Sequence, residues 1–125
     1  MTKKILIIED DEENLKLFST ILRHNGHVTL EAKNGMDGIR LAMVEKPNLI
    51  LVDVHMPVMN GFEVLKIIKS KPSTKNIPVI ALSAYPLSGA RNGFPDGGFA
   101  DCVVKPIILK EFIRLIEKHL QTACS

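Results

Sequence analysis

The sequence of 125 residues has little cysteine, little net charge and no long apolar run. Its two cysteines, Cys102 and Cys124, form neither a disulfide framework nor a metal-binding spacing, so we predict a protein of the reducing cytoplasm. No run approaches the length of a transmembrane helix, and no cleavage signal precedes the first apolar segment, so we expect neither a membrane span nor a secretory leader. The formal net charge of +2 is too small to indicate nucleic-acid binding.

What is present is typical of one soluble globular domain. Hydrophobic residues make up 46% of the chain and charged residues 24%, which is an ordinary composition for such a protein. A chain of this length has room for one core. We therefore expect residues 1–125 to form a single domain, with no further output domain.

Short apolar runs alternate with helical patterns along the chain. The run from Leu49 to Val52 is too short for a buried helix and follows Pro47, so it is interpreted as a strand covered on both faces. Comparable segments predict five strands, at residues 4–8, 27–32, 49–53, 77–82 and 101–104. Helical periodicity follows the first three strands and the fifth, the last helix covering about residues 109–121. This alternation predicts an α/β fold with a doubly wound parallel sheet and right-handed crossovers.

Chemically reactive side chains follow four of the five predicted strands. Glu9 and Asp10 follow the first strand, Asp53 ends the third, Ser83 follows the fourth and Lys105 the fifth. The carboxyl ends of parallel strands meet at one edge, where such folds bind ligands. Carboxylates packed together repel one another, and a divalent cation with oxygen ligands, Mg²⁺, would relieve this repulsion. An aspartate beside Mg²⁺ can attack phosphorus, while a lysine and a hydroxyl hold the phosphoryl oxygens.

Each of these residues also has a simpler interpretation. Asp53 could cap the turn that follows it, and the acids from Glu9 to Glu13 could favour the positive end of the first helix. Ser83 could be a turn residue, and Lys105 a solvated loop residue. Asp11 is interpreted as a helix cap. The functional hypothesis depends on the joint occurrence of these residues at one edge.

Together these motifs resemble the receiver domains of two-component response regulators, over essentially the whole chain. The acid pair Glu9-Asp10, the segment from Asp53 to Gly61, the pair Ser83-Ala84 and the pair Lys105-Pro106 match the family's motifs in order and at family-like spacing. The resemblance implies a flavodoxin-like (CheY-like) sheet with strand order 2-1-3-4-5. Among receivers, the chain is most similar to the stand-alone type of the DivK kind.

The resemblance implies a role for each matched residue. Asp53 would accept a phosphoryl group from a sensor histidine kinase or a histidine phosphotransfer protein. Glu9, Asp10 and Asp53, with the backbone carbonyl of His55, would hold Mg²⁺. Ser83 would hydrogen-bond the phosphoryl group.

Lys105 would pair with the phosphoryl group, and the Lys105–Pro106 bond would be cis. The chain would then be a phosphoacceptor signalling protein that assists its own phosphorylation and autodephosphorylation. It would signal by contact with a downstream protein and would bind neither nucleic acid nor membrane. His55 and Tyr85 would shield the phosphoryl group from water.

Two departures from the family pattern concern signal output. Cys102 stands where many receivers have a switching Tyr or Phe. Residues 87–98 hold four glycines and a proline, Pro95, where receivers usually form a regular helix. We therefore expect phosphorylation to order residues 85–98 rather than to rotate a ring on the fifth strand.

Two other classes of protein are alternatives. A Mg²⁺-dependent phosphatase of the haloacid-dehalogenase type also forms an aspartyl-phosphate, but it needs a second aspartate where this chain has His55, and a cap segment. A flavodoxin-like cofactor-binding module needs a phosphate-cradling loop after the first strand, where this chain has acids.

Overall fold

The computed structural model describes residues 3–84 and 98–124, and it describes side chains as far as residue 120. Tyr85 and the predictions for residues 85–97, including those on Gly93 and Pro95, lie outside the described residues. Within them lie five strands and four helices, which alternate except that the fifth strand follows the fourth, and their bounds are close to those predicted. They are β1 (Lys4–Ile8), α1 (Glu12–His24), β2 (Val28–Ala32), α2 (Gly35–Glu45), β3 (Leu49–Asp53), α3 (Gly61–Ser70), β4 (Val79–Ser83), β5 (Asp101–Val104) and α4 (Leu109–Cys124).

The strands form one parallel sheet in the order β2-β1-β3-β4-β5, which confirms the predicted fold class. The central strand β3 is buried along its whole length, as its continuous apolar run predicts. The second strand begins at Val28 rather than at residue 27, and the fourth begins at Val79 and includes Ser83. Ser83 is therefore the last residue of β4 rather than a residue that follows the strand.

Helices cover both faces of the sheet, so the core has two layers. Alternate strand residues such as Ile8 and Val52 pack against α2 and α3, whereas Ile7 and Leu51 pack against α1 and α4. On the second face, the rings of Phe18 and Phe112 lie 5.5 Å apart and join α1 to α4.

Polar caps fix the start of three helices at the carboxyl edge of the sheet. Asp11 accepts a hydrogen bond from the backbone N–H of Glu13 at the start of α1, which confirms the cap predicted for it. Asn34 caps α2, and Asn60 forms a capping box with Glu63 at the start of α3. These caps satisfy backbone N–H groups at the sheet edge where the predicted site lies.

In the described part of the chain, no helix has both the length and the apolar character that crossing a membrane requires.

Candidate functional site

Three carboxylates converge at the carboxyl edge of the sheet. Glu9 directly follows β1, Asp10 is next to it, and Asp53 is the last residue of β3. One carboxylate oxygen from each lies within 4.8 Å of the others. Glu9 and Asp53 are buried and Asp10 is exposed, so the cluster has one side open to solvent. Such a set of oxygen donors fits a hard divalent cation like Mg²⁺.

Lys105 joins the two buried carboxylates. Its Nζ lies 2.7 Å from Oε1 of Glu9 and 3.2 Å from Oδ2 of Asp53. The bond from Lys105 to Pro106 is cis, as predicted. The lysine follows β5 at the far side of β4, and its long side chain reaches across to β3 and β1. Its charge partly neutralises the carboxylates.

The two buried carboxyl groups have pKa values shifted in opposite directions. The pKa of Glu9 is raised to about 7, chiefly by burial and then by its hydrogen bond with Asp53, whose effect exceeds the lowering effect of the hydrogen bond with Lys105. Burial also acts to raise the pKa of Asp53, but its contacts with Glu9, the His55 N–H and Lys105 prevail and lower it. The pKa of Lys105 is raised because the two carboxylates outweigh its own burial. Asp53 is therefore the member of the pair that ionises first as pH rises.

The loop after β3 folds back onto the Asp53 carboxylate. The backbone N–H of His55 donates a hydrogen bond of 2.9 Å to Oδ1 of Asp53. This bond holds the His55 peptide beside the acidic cluster; its carbonyl is the backbone ligand expected from the sequence. Gly61 permits the close return of the chain, since its N–H lies 3.4 Å from the carbonyl oxygen of Val54.

Ser83 is buried at the end of β4, and its Oγ lies 3.3 Å from Nε2 of His55. This contact was not predicted, because the sequence indicated only a backbone role and a shielding role for His55. The contact could have been suspected from the position of His55 in the sequence. It lies two residues after Asp53, which places its side chain at the same edge of the sheet. The structure thus brings Glu9, Asp10, Asp53 and Lys105 into one cluster and connects Ser83 to it through His55.

The position of the family's switching aromatic residue is occupied by Cys102, which is half-buried on β5 beside Ala81 of β4. The departure noted in the sequence therefore lies on the strand that precedes Lys105.

Comparison with known proteins agrees with this geometry. Residues 5–117 match the response regulator receiver domain, and the chain belongs to this family. It is 36% identical over 123 residues to the polar-differentiation response regulator DivK of Brucella anthropi, covering 98% of this chain and 100% of that protein. DivK of Brucella ovis is equally similar. The resemblance to receivers of the DivK kind is confirmed.

Two solved structures extend the comparison. The receiver domain of the sensor histidine kinase PA1611 from Pseudomonas aeruginosa is 26% identical, with a TM-score of 0.86 over 97% of this chain and 99% of that one. That receiver has a magnesium ion coordinated in its active-site cleft. The chemotaxis protein CheY4 of Vibrio cholerae is 23% identical, with a TM-score of 0.87 over 94% and 98% of the two chains, and shows the same fold. The comparisons thus favour a receiver and do not favour the phosphatase alternative.

Proposed function

We propose that Asp53 accepts a phosphoryl group from a phosphohistidine on a sensor histidine kinase or a histidine phosphotransfer protein, in a Mg²⁺-dependent reaction. The observation that carries this proposal is the placement of Asp53. It is an ionised carboxylate at the end of β3, a strand buried along its whole length, and it contacts Lys105 and the His55 N–H. A nucleophile needs this ionised form.

Mg²⁺ would be held by Glu9, Asp10 and Asp53 with the His55 carbonyl, and it would neutralise charge on the carboxylates and the phosphoryl oxygens. Glu9, whose pKa lies at about 7, gives up its proton when it acts as a ligand. Asp53 then forms the new P–O bond while the P–N bond to the donor imidazole breaks.

Ser83 and Lys105 act on the transferred group. Lys105 Nζ, which contacts both Glu9 and Asp53, pairs with a phosphoryl oxygen after transfer. The Ser83 hydroxyl exchanges its contact with His55 for a hydrogen bond to another phosphoryl oxygen. Both groups stabilise charge that develops at phosphorus.

The modified protein then signals through contact with a downstream protein, and it assists its own dephosphorylation with water as the attacking group. His55 and Tyr85 limit the access of that water. The cytoplasmic location stays a prediction from the cysteine composition.

Labelling with a small phosphodonor tests the acceptor. Incubation with acetyl phosphate and Mg²⁺ is expected to add one phosphoryl group by intact mass. Asp53→Asn or chelation with EDTA is expected to abolish the addition. Asp37→Asn, which changes an exposed carboxylate on α2, is the matched control and should label normally. Full labelling of Asp53→Asn would overturn the assignment.

Transfer from a protein donor tests the partner class. Radiolabelled phosphohistidine kinases and phosphotransfer proteins from the same organism should include at least one that passes its label to the wild-type chain within seconds. Failure of the whole panel, alongside normal labelling by acetyl phosphate, would contradict the proposed donor while leaving Asp53 as the acceptor.

A further inference from the structure

Helix α2 packs against the sheet mainly through small residues, and it turns three of its large apolar residues outward. Its buried positions are Gly35, Gly38, Ile39 and Ala42. Gly38 must be small, because a Cβ there would come within 2.6 Å of Cγ1 of Ile8 on β1. This close approach leaves no room for a side chain at Gly38, so on this face of α2 Ile39 is the one large residue that is buried in the core.

Three large apolar residues of α2 are exposed. Met36 is 56% exposed, Met43 41% and Val44 71%. An amphipathic surface helix usually turns such residues to the core and polar residues to water. Here the helix has an additional apolar face that its own domain does not use.

These residues line a groove of about 400 Å³ between α2 and α3, which we name the α2–α3 groove. Its lining residues are Met36, Ile39, Arg40, Met43, Val44, Ile67 and Lys71. Methionine is unbranched and adaptable, and it is common on surfaces that bind apolar helices.

The charges of the groove have one sign. Among the described residues, its lining holds the cations Arg40 and Lys71 and no carboxylate. Arg40 contacts Asp37 at 3.2 Å, but both side chains are more than half exposed, and such pairs contribute little. Both cations are therefore available to acidic groups of a partner at the rim of an apolar surface.

We propose that the α2–α3 groove binds an amphipathic helix of a partner protein, with large apolar side chains on one face and acidic side chains beside them. The apolar side chains fill the space between Met43, Val44 and Ile67, and the acidic ones meet Arg40 and Lys71. The proposal does not depend on the phosphorylation chemistry, since none of these residues belongs to the carboxylate cluster.

Titration with a synthetic helix tests the proposal. The probe is a peptide of about 18 residues, or five turns, with leucines on one face and glutamates on the other. A second peptide has lysines in place of the glutamates. By amide NMR, the acidic peptide is expected to shift resonances of α2 and α3, to bind at least about tenfold more tightly than the basic one, and to weaken with salt.

Paired variants locate the site. Val44→Ser and Met43→Ser should each weaken binding of the acidic peptide several-fold, while Leu17→Ser, at a comparably exposed position on α1, should leave it unchanged. Arg40→Glu should reduce or abolish the preference for the acidic peptide, since Lys71 is then the only cation of the described lining. Circular dichroism melts confirm that each variant is folded.

Three results would overturn the proposal. They are equal binding of the two peptides, shifts centred on α1 or α4, and self-association of the free protein that Val44→Ser abolishes. The last would identify a second copy of the chain as the occupant.

Discussion

Ser83 Oγ lies 3.3 Å from Nε2 of His55, so the hydroxyl proposed to bind the phosphoryl group already contacts an imidazole two residues beyond Asp53. The same histidine donates its backbone N–H to Asp53. His55 therefore contacts both the acceptor and the residue that would respond to phosphorylation.

Replacement of His55 should shorten the life of the phosphorylated state. His55→Ala removes both the bulk beside Asp53 and the contact to Ser83, so water reaches phosphorus more easily. We expect autodephosphorylation to accelerate on the order of tenfold, which is about 1.4 kcal/mol in the barrier. Decay of the labelled protein after removal of the donor measures this rate.

His55→Phe separates the two effects, because it keeps the bulk and loses the ring nitrogen. If bulk provides the shielding, this variant should decay slowly, like the wild type. His24→Ala, at the exposed end of α1, is the control. A decay rate unaffected by His55→Ala would show that His55 is not on the path of the water.

The sheet and its acidic edge could be predicted because local patterns determine them. The run from Leu49 to Val52 is too short for a buried helix and is typical of a strand buried on both faces, and parallel strands bring their carboxyl ends to one edge. The convergence of Glu9 and Asp53 follows from that topology.

Side-chain pairing across the edge could not be predicted in the same way. Lys105 contacts Glu9, 96 residues away, and His55 contacts Ser83, 28 residues away. These contacts depend on side-chain rotamers and on loop shape rather than on periodicity. The exposure of the methionines of α2 could not be predicted either, because a helical pattern does not reveal which of two apolar faces packs on the sheet.

The stability of the metal-free protein should fall as pH rises toward neutrality. Glu9 has an ordinary pKa of 4.5 and a pKa of about 7 in the fold, so the folded state holds a proton that the unfolded state has released. This contribution is complete below about pH 4.5 and is lost as pH rises through about 7. We expect a loss of about 1–3 kcal/mol across this window, measured by urea denaturation in EDTA.

Glu9→Gln isolates the effect, because an amide does not titrate. The difference between its curve and that of the wild type should account for the loss, whereas contributions from the rest of the protein remain in both. In the wild type, Mg²⁺ should stabilise more at about pH 7.5 than at about pH 5.5, since it binds the ionised carboxylates. Parallel curves for the two proteins would contradict the role of Glu9.

Substitution of Val58 by a residue that tolerates a positive φ should stabilise the folded protein. It has a φ of 67°, in the left-handed region that a β-branched residue rarely adopts, and its side chain is fully exposed. Val58→Asn should relieve this strain without loss of packing, raising stability by about 0.5–1 kcal/mol, or Tm by roughly 3 °C. Val44→Asn, on an exposed helical position, is the control and should change Tm little. A lower Tm for Val58→Asn would show that the valine side chain makes a stabilising contact.

Two glycines should differ in their tolerance of a methyl group, according to what the methyl group meets. A Cβ on Gly61 would lie 2.7 Å from Cα of Val54 and 3.0 Å from the carbonyl oxygen of Asp53, both of them backbone atoms. The three atoms nearest to a Cβ on Gly38 all belong to the side chain of Ile8. Backbone cannot move aside without displacing Asp53, whereas a side chain can be shortened.

Gly61→Ala should therefore both destabilise the fold, by about 2–3 kcal/mol, and slow the labelling of Asp53 by acetyl phosphate. Gly38→Ala should cost about 1–3 kcal/mol in stability, with labelling of the folded fraction unchanged.

Ile8→Ala makes room for the methyl group at position 38. The double variant Gly38→Ala/Ile8→Ala should therefore be destabilised by less than the sum of the losses in the two single variants, as measured by a double-mutant cycle. Shortening Ile8 should give no such recovery to Gly61→Ala. Normal labelling of Gly61→Ala would show that the loop after β3 can shift without disturbing the acceptor. Additive losses of stability from Gly38→Ala and Ile8→Ala would show that α2 moves away from the sheet instead.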